Sequence, residues 1–571
     1  MNLDRVVIKK FRSIKQQTIL ISDVTAIVGA NNCGKTSILK AINSFFNFDD
    51  EKNYFISGQH SHTTKTKPQI ECVFSDVPVG SGLNPYLRNG TLSVRMNIDK
   101  GKGRYSLKFF NGRWLDFPHD AYIELLTLIS FVLIPASRDH SALVGGESKL
   151  LEEIVSAYVN EKTKNRDDYS KKIHDSLNFV QKNLFDKLSK DLSKEISYGK
   201  KVRAKVRFND GIDLRDFLHD FSLYLEDQGQ EFKIEDFGSG LQSVTVIGLY
   251  KYLSRLRGKK YILGVEEPET NLHPHMQKIL AHSMLEEGID GGVQTLITTH
   301  SPSILDEIEH HKVVLCRRAD DVSREFVTTA KQLPENFFVK HALDPQKNSK
   351  FYRFRNSEFF FADHVVVLEG SSDLAVFESL AEQTNTDLIR SGVSTLTLDG
   401  VKSIKYPICL FHELDMPFSI LIDKDALFNY RNPKKKDSRD RDGFFQYARG
   451  FKRDAAVIFG SQKVPSRIVA TLEKTLLTNH SGALKKLEPY KIIVFKYNIE
   501  MDLMNSNGGR AAMIGVLNLP AGTPASTLLS DFGEAIKAPE KISEATKGTS
   551  ANSLPKSFIY VKRLLRSLQN G

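Results

Sequence analysis

The sequence predicts an α/β protein made of two units in tandem, each with polar groups gathered at the ends of apolar strands. Three observations carry this expectation. The stretch "AIVGANNCGKTSILKAI" (26–42) runs from an apolar strand through a glycine loop into a helix. "YILGVEE" (261–267) and "VQTLITT" (293–299) resume the strand pattern around a helix that sets Met276, Ile279, Leu280 and Met284 on one face. After an unpatterned stretch at about 330–360, a second series begins with "HVVVLEG" and continues through "STLTLD", "FSILIDKDA" and "KIIVFKYNIEMDL", with helices between. Strands alternating with helices are the mark of α/β units.

Taken in order, "VVIKKFRSIKQQTILISDVTAIVG" reads as strand, turn, strand, strand, and Thr36 to Phe46 is helical by the spacing of Ile38, Leu39, Ile42, Phe45 and Phe46. Residues 60–115 alternate short β-like runs with polar turns. "AYIELLTLISFVLIPA" (121–136) is short for a membrane span and contains Glu124, so it reads as a buried helix running into a strand. From 147 to 200 the pattern turns helical, charged and free of proline, as a helical insertion would; a solvated hairpin and an association surface are equal readings. Residues 505–555, rich in Gly, Ala, Ser, Thr and Pro, read as loops with short helices, and "SFIYVKRLLRSLQ" as an amphipathic basic helix. The resulting division is 1–146 and 205–345 for the two parts of the first unit, 147–204 for the insert, and 360–571 for the second unit with its helical tail.

With 571 residues the chain exceeds one ordinary core. Charges at Asp4, Arg5, Lys9, Lys10 and Arg12 argue against a secretory signal. Four cysteines, far apart and without a CxxC pair, fit a reducing cytoplasm better than a zinc site or a disulfide framework. The net charge of +10 favours a polyanionic partner. The basic run "RNPKKKDSRDR" (431–441) reads as a solvated loop, with a binding site as the alternative.

Gly29 to Thr36 fits GxxxxGK[ST], with a strand before it and a helix after it. In such a loop, backbone N–H groups close around phosphate oxygens and the helix N-terminus favours the anion. Asn31, Asn32, Gly34, Lys35, Thr36 and Ser37 are therefore the expected ATP contacts, with Lys35 reaching the β- and γ-phosphates and Thr36 ligating Mg²⁺. "YILGVEEPETNLHP" ends an apolar strand in two carboxylates. Glu266 is expected in the magnesium shell and Glu267 as the base that orients water. An acidic strand end complementing a helix dipole, with Glu269 included, is the plainer alternative. His300, at the end of "LITTH", is expected near the γ-phosphate. "FGSGLQSV" (237–244), with Ser239, Gly240 and Gln242, resembles the signature loop of ABC-type ATPases, and "IKKFRSI" resembles their RecF and SMC branch. That resemblance implies that the loop of one subunit closes on ATP bound to another.

The second series carries a different chemistry. "VVVLEGSSD" sets Glu369 at a strand end and Asp373 on the first helical turn; "SILIDKDA" sets Asp423 and Asp425 at another strand end. In open α/β folds ligands bind at that edge. Crowded carboxylates repel unless cations neutralise them, and hard Mg²⁺ or Mn²⁺ is the natural solution. This Glu plus DxD order resembles the Toprim domain. An ABC ATPase followed by Toprim, carried by the glycine loop, "GSGLQS", "EEPETNLHP", "TTHSP", "LEGSSD", "LDGVKSI" and "LIDKDA", resembles the OLD (overcoming lysogenization defect) family of nucleases, which includes the nuclease subunit of Gabija systems.

The resemblance implies several further expectations. A second metal-binding segment falls on "YNIEMDLM", with Glu500 and Asn498 as ligands and Asp502 less well matched. A late lysine stabilises charge at the cleaved phosphate, with Lys556 chosen by spacing and Lys562 competing. Glu369 assists proton transfer. Cofactors are ATP and Mg²⁺, with Mn²⁺ or Ca²⁺ as alternatives at the second site. The implied activity is a metal-dependent DNA endonuclease, regulated by an ABC-type (RecF/SMC-like) ATPase that forms a homodimer or higher homo-oligomer, in antiphage defence. A helicase or reverse transcriptase as defence partner stays open. The rivals are a RecF/SMC-like repair ATPase without nuclease activity and a nucleotide-sensing switch acting through a partner.

Overall fold

The structure, a computed structural model, describes residues 1–136 apart from 64, 100–101 and 109–111, parts of 150–195, residues 224–233 apart from 228–229, and 239–569 apart from 290–291, 323, 346–356 and 399–403. Most of the expected 147–204 insert and the junction after it lie outside the described residues. The chain divides into two compact units: Met1–Ile308 with Cys316–Ala330, and Glu309–Leu315 with Lys331–Gly571.

The first unit contains two six-stranded sheets. One is antiparallel, in the order Ile14–Leu20, Asn2–Phe11, Gln69–Ser75, Leu92–Asp99, Lys102–Lys108, Trp114–Asp116. Its strand Leu92–Asp99 alternates as a half-solvated strand should: Leu92, Val94, Met96 and Ile98 are buried while the residues between them are not. The other sheet runs Arg324–Lys331, Val313–Asp321, Val24–Val28, Val293–Thr298, Lys260–Glu266, Ile129–Ile134, and its last four strands are parallel. Val24–Val28 and Val293–Thr298 are buried along their whole length; the polar Gln294 among them exchanges hydrogen bonds with the Leu3 main chain. This order places the phosphate loop, His300 and Glu266 at one sheet edge. The expected helix running into a strand is His119–Leu128 followed by Ile129–Ile134.

The second unit holds a four-stranded parallel sheet in the order Val393–Thr397, His364–Leu368, Phe418–Ile422, Ile492–Val494. The tail helix Lys556–Gln569 buries Phe558, Val561, Leu564, Leu565 and Leu568, the stripe its periodicity predicts. Each such side chain contributes about 1.5–3 kcal/mol.

Residues 505–555 form short helices joined by loops, as expected: Asn507–Val516, Ala525–Asp531, Gly533–Lys537 and Pro539–Gly548. Their small residues serve close packing: a Cβ on Gly508 would stand 2.3 Å from the Cβ of Ser553.

Candidate functional site

The strand Val24–Val28 delivers the chain into the glycine loop, and the helix Lys35–Phe46 receives it. Gly29 and Gly34 have φ of 139° and 104°, where a side chain is strained. Space forbids one as well: a Cβ would lie 2.1 Å from the Cys316 carbonyl oxygen at Gly29 and 2.2 Å from Thr328 Oγ1 at Gly34. Lys35 Nζ donates to the carbonyls of Gly29 (3.0 Å) and Ala30 (2.9 Å). Arg318 donates to the carbonyls of Asn31 and Asn32, bracing the loop from the side. Asn31, Asn32 and Thr36 are exposed, while Ser37 is buried.

The carboxylates expected beside this loop are placed unequally. Glu266 ends its strand with Oε1 buried and unpartnered. Glu267 takes φ 44° and points its carboxylate to within 4.0 Å of His300 Nε2. Glu269, which read as a simple dipole complement, accepts the His300 N–H at 2.6 Å and keeps Oε2 buried without a partner. Burial pushes its carboxyl above the usual range. Burial, then the charge of Lys35, lowers the His300 imidazole, leaving it neutral near pH 7. Of the signature-like run, Phe237 and Gly238 lie outside the described residues. Ser239 and Gly240 open the helix Ser239–Arg257, and Gln242 is buried on it.

In the second unit, pairing of His364–Leu368 with Phe418–Ile422 brings Glu369 and Asp423 side by side. Glu369 Oε1 accepts the Asp423 N–H at 2.8 Å. Asp425 follows on a short turn, and one carboxylate oxygen from each of Glu369, Asp423 and Asp425 lies within 4.8 Å of the others. Lys424 between them turns the other way and donates to the Leu476 carbonyl. Asp373 is buried on the first turn of Ser371–Gln383, and Glu500 on the first turn of Ile499–Asn505. Asp425 Oδ2 accepts the Tyr430 hydroxyl at 2.6 Å.

The charges in this cluster are not balanced by donors. Burial, followed by Asp425, Asp373 and Glu500, pushes Glu369 up to about 8 against the one N–H it accepts. Burial and Glu500 push Asp373 up to about 7. Burial, with Glu369 the first of four neighbouring carboxylates, pushes Asp423 well above its usual range. Oδ1 of Asp373, Asp423 and Asp425 are all buried without a hydrogen-bond partner. Unsatisfied buried oxygens cost about 1–3 kcal/mol each, more when charged. Oxygen-seeking divalent cations satisfy such atoms and lower all of these values together, so the residues present fit a metal centre.

Two comparisons bear on what this pairing of sites means. The AAA_21 family model, described as an AAA domain, matches residues 24–306. The model described as "Overcoming lysogenization defect protein-like, TOPRIM domain" matches residues 360–425, with Glu369 and the DxD inside it. In its domain order, and over most of its length, the chain is similar to the OLD family of nucleases. The Old nuclease of Escherichia phage P2 is 24% identical over 474 residues, covering 76% of this chain and 79% of the relative. The OLD nuclease of Thermus scotoductus is 24% identical over 463 residues, covering 74% and 82%. Endonuclease GajA of Bacillus cereus (strain VD045) is 22% identical over 459 residues, covering 74% and 75%. The fold is an N-terminal ATPase followed by a C-terminal Toprim domain, and these domains use nucleotide and divalent metal.

Other expected residues sit apart from the cluster or are already engaged. Asn498 accepts the Met501 N–H at 2.9 Å, so its side-chain oxygen caps a helix. Asp502 is buried and accepts from Lys496 N, Tyr497 N and Ser557 Oγ, a set of donors that makes it structural. Lys556 stands exposed at the start of the tail helix, and Lys562 donates to Gln383. Lys435 and Lys537 face Glu500 across one groove. Burial raises Glu500, and both ammonium groups partly counter it. Neither had a motif to mark it. Among the described residues, no helix is long and apolar enough to cross a membrane.

Proposed function

We propose that this chain is a metal-dependent DNA endonuclease whose ATPase unit regulates cleavage, acting in antiphage defence. The observation that carries the reading is the donor-poor cluster of Glu369, Asp423 and Asp425, with Asp373 and Glu500 beside it, in a chain whose relatives are named nucleases. Glu369, Asp373, Asp423, Asp425 and Glu500 would hold Mg²⁺ or Mn²⁺, which supply Lewis acidity for phosphodiester hydrolysis. Glu369 would also assist proton transfer, as the carboxylate set at the strand end beside Asp423. At the other site, Lys35 and Thr36 would meet ATP and its magnesium, Glu266 would share that metal, and Glu267 with His300 would face the γ-phosphate. Ser239, Gly240 and Gln242 would complete the nucleotide site of a second copy. Hydrolysis of DNA needs no fuel, so ATP restrains cleavage rather than driving it.

The test is plasmid incubated with the purified chain and Mg²⁺ or Mn²⁺, with and without ATP, beside Glu369→Ala. Nicked or linear products that vanish in the variant, with ATP hydrolysis retained, are expected. Intact plasmid under every metal condition would remove the nuclease reading and leave a nucleotide switch. Cleavage that strictly requires ATP hydrolysis would overturn the restraining role.

A further inference from the structure

After the DxD strand the chain makes a hairpin: Phe428–Tyr430 pairs antiparallel with Tyr447–Phe451, and the basic run 431–441 lies between them. That run read as a solvated loop. All of 431–441 but Ser438 is indeed exposed, and within it Lys435 folds back toward the acidic cluster, with Nζ 4.0 Å from Asp425 Oδ2. Its ammonium lies over the rings of Tyr430 and Phe445, at 5.1 and 4.9 Å from their centroids. Tyr430 in turn donates its hydroxyl to the same Asp425 oxygen. Arg439 packs over Phe445 at 5.3 Å and donates to the Leu529 carbonyl. Lys435, Arg439, Glu500 and Lys537 line one groove of about 750 Å³. Asp531 and Glu534 line it too, so its cations are placed rather than pooled.

An ion pair that only stabilises the fold accounts for this poorly. At 4.0 Å, with the Lys435 side chain 54% exposed, such a pair is worth less than about 1 kcal/mol. The aromatic shelf does something more specific. It holds the ammonium in one place while leaving it open, so little side-chain freedom is lost when an anion arrives. An incoming backbone phosphate carries negative charge toward five carboxylates, and a fixed cation at that edge offsets the repulsion where it is greatest.

We propose that Lys435 is a phosphate-contacting residue, its ammonium binding a backbone phosphate oxygen of DNA that enters this groove at the acidic cluster. The proposal rests on the nuclease reading above. Its test does not need cleavage. Lys435→Gln is placed in the Glu369→Ala full chain, and duplex binding is read by fluorescence anisotropy between about 50 and 200 mM salt. Lys436→Gln, the same charge change one residue on, is the control. Loss of one phosphate contact should reduce the slope of log affinity against log salt by about 1. Lys436→Gln should move it much less, and Lys435→Arg should restore it. An unchanged slope for Lys435→Gln, or equal changes at 435 and 436, overturns the assignment. Plasmid left intact by the chain with native Glu369 and Lys435 would instead count against the nuclease reading, whatever the slopes show.

Discussion

Glu51 in the ATPase unit and Glu369 in the Toprim unit are both carboxylates withdrawn from water, and they are treated in opposite ways. Glu51 accepts from Lys40 and Asn43 and from the imidazole of His60, at 3.1, 2.7 and 2.7 Å. Arg12 Nε–H donates to His60 Nδ1, which leaves the proton on Nε2 to point at Glu51. Burial alone would push Glu51 up, yet these donors pull it down to about 2. Glu369 receives one N–H and several like charges, and is pushed up to about 8. A buried carboxylate that serves the fold is surrounded by donors. One left among other carboxylates, with lone pairs unspent, is kept for something that arrives later.

The contrast is most exposed at the Toprim cluster. Asp423→Ala should lower DNA cleavage by more than about 100-fold, since even partners that only orient ligands are worth 10- to 100-fold. ATP hydrolysis should persist, and a cleaving Asp423→Ala chain would show that the carboxylates are not a metal centre. The next largest effect belongs to Glu51. Glu51→Ala strands the Asn43 amide and His60, and should destabilise the ATPase unit by about 3 kcal/mol, read by denaturant melts at pH 7. A loss under about 1 kcal/mol would mean the donors find water instead.

A pH series probes the same difference more finely. The folded pKa of Glu51, about 2, lies below its unfolded value of about 4.3. Its contribution is therefore present in full above the unfolded value and drains away as the pH falls toward the folded one. The stability gap between the native chain and Glu51→Ala should narrow below about pH 4.3, and a gap that stays constant down to pH 3 would refute the donor account. The smallest effect is the most telling. In a chelator, Asp423→Asn should stabilise the Toprim unit by about 1 kcal/mol through relieved repulsion. Added Mg²⁺ should raise the native melting temperature and leave that of the variant nearly unmoved. If Asp423→Asn destabilises the chelated protein, the carboxylates are not straining against each other.

Much of this was legible in the sequence, for physical reasons that differ by residue. The glycine loop and the DxD stood out because an apolar strand that stops abruptly at glycine or carboxylate puts polar groups where a sheet edge meets ligands. Glu369 and Asp423 could be assigned to one sheet edge because parallel strands end together. Side-chain direction was not legible. Glu500 and Asp502 share the first turn of one helix, yet only Glu500 faces the cluster while Asp502 turns toward Ser557. Lys435 sat in a run whose plain reading is hydration, and only the hairpin pairing of Phe428–Tyr430 with Tyr447–Phe451 returns it to Asp425. The bounds of the short 505–555 helices were not legible because glycine and alanine mark loops in one context and tight helix contacts in another.

The phosphate loop near the start of the chain is moulded by residues almost three hundred positions later: the Cys316 carbonyl, the Arg318 guanidinium and the Thr328 hydroxyl. During synthesis, then, the loop has no template until the ribosome has released those last strands. A nascent chain lacks these braces until its first unit is whole, and a product ending between Thr36 and Cys316 would carry the motif without them.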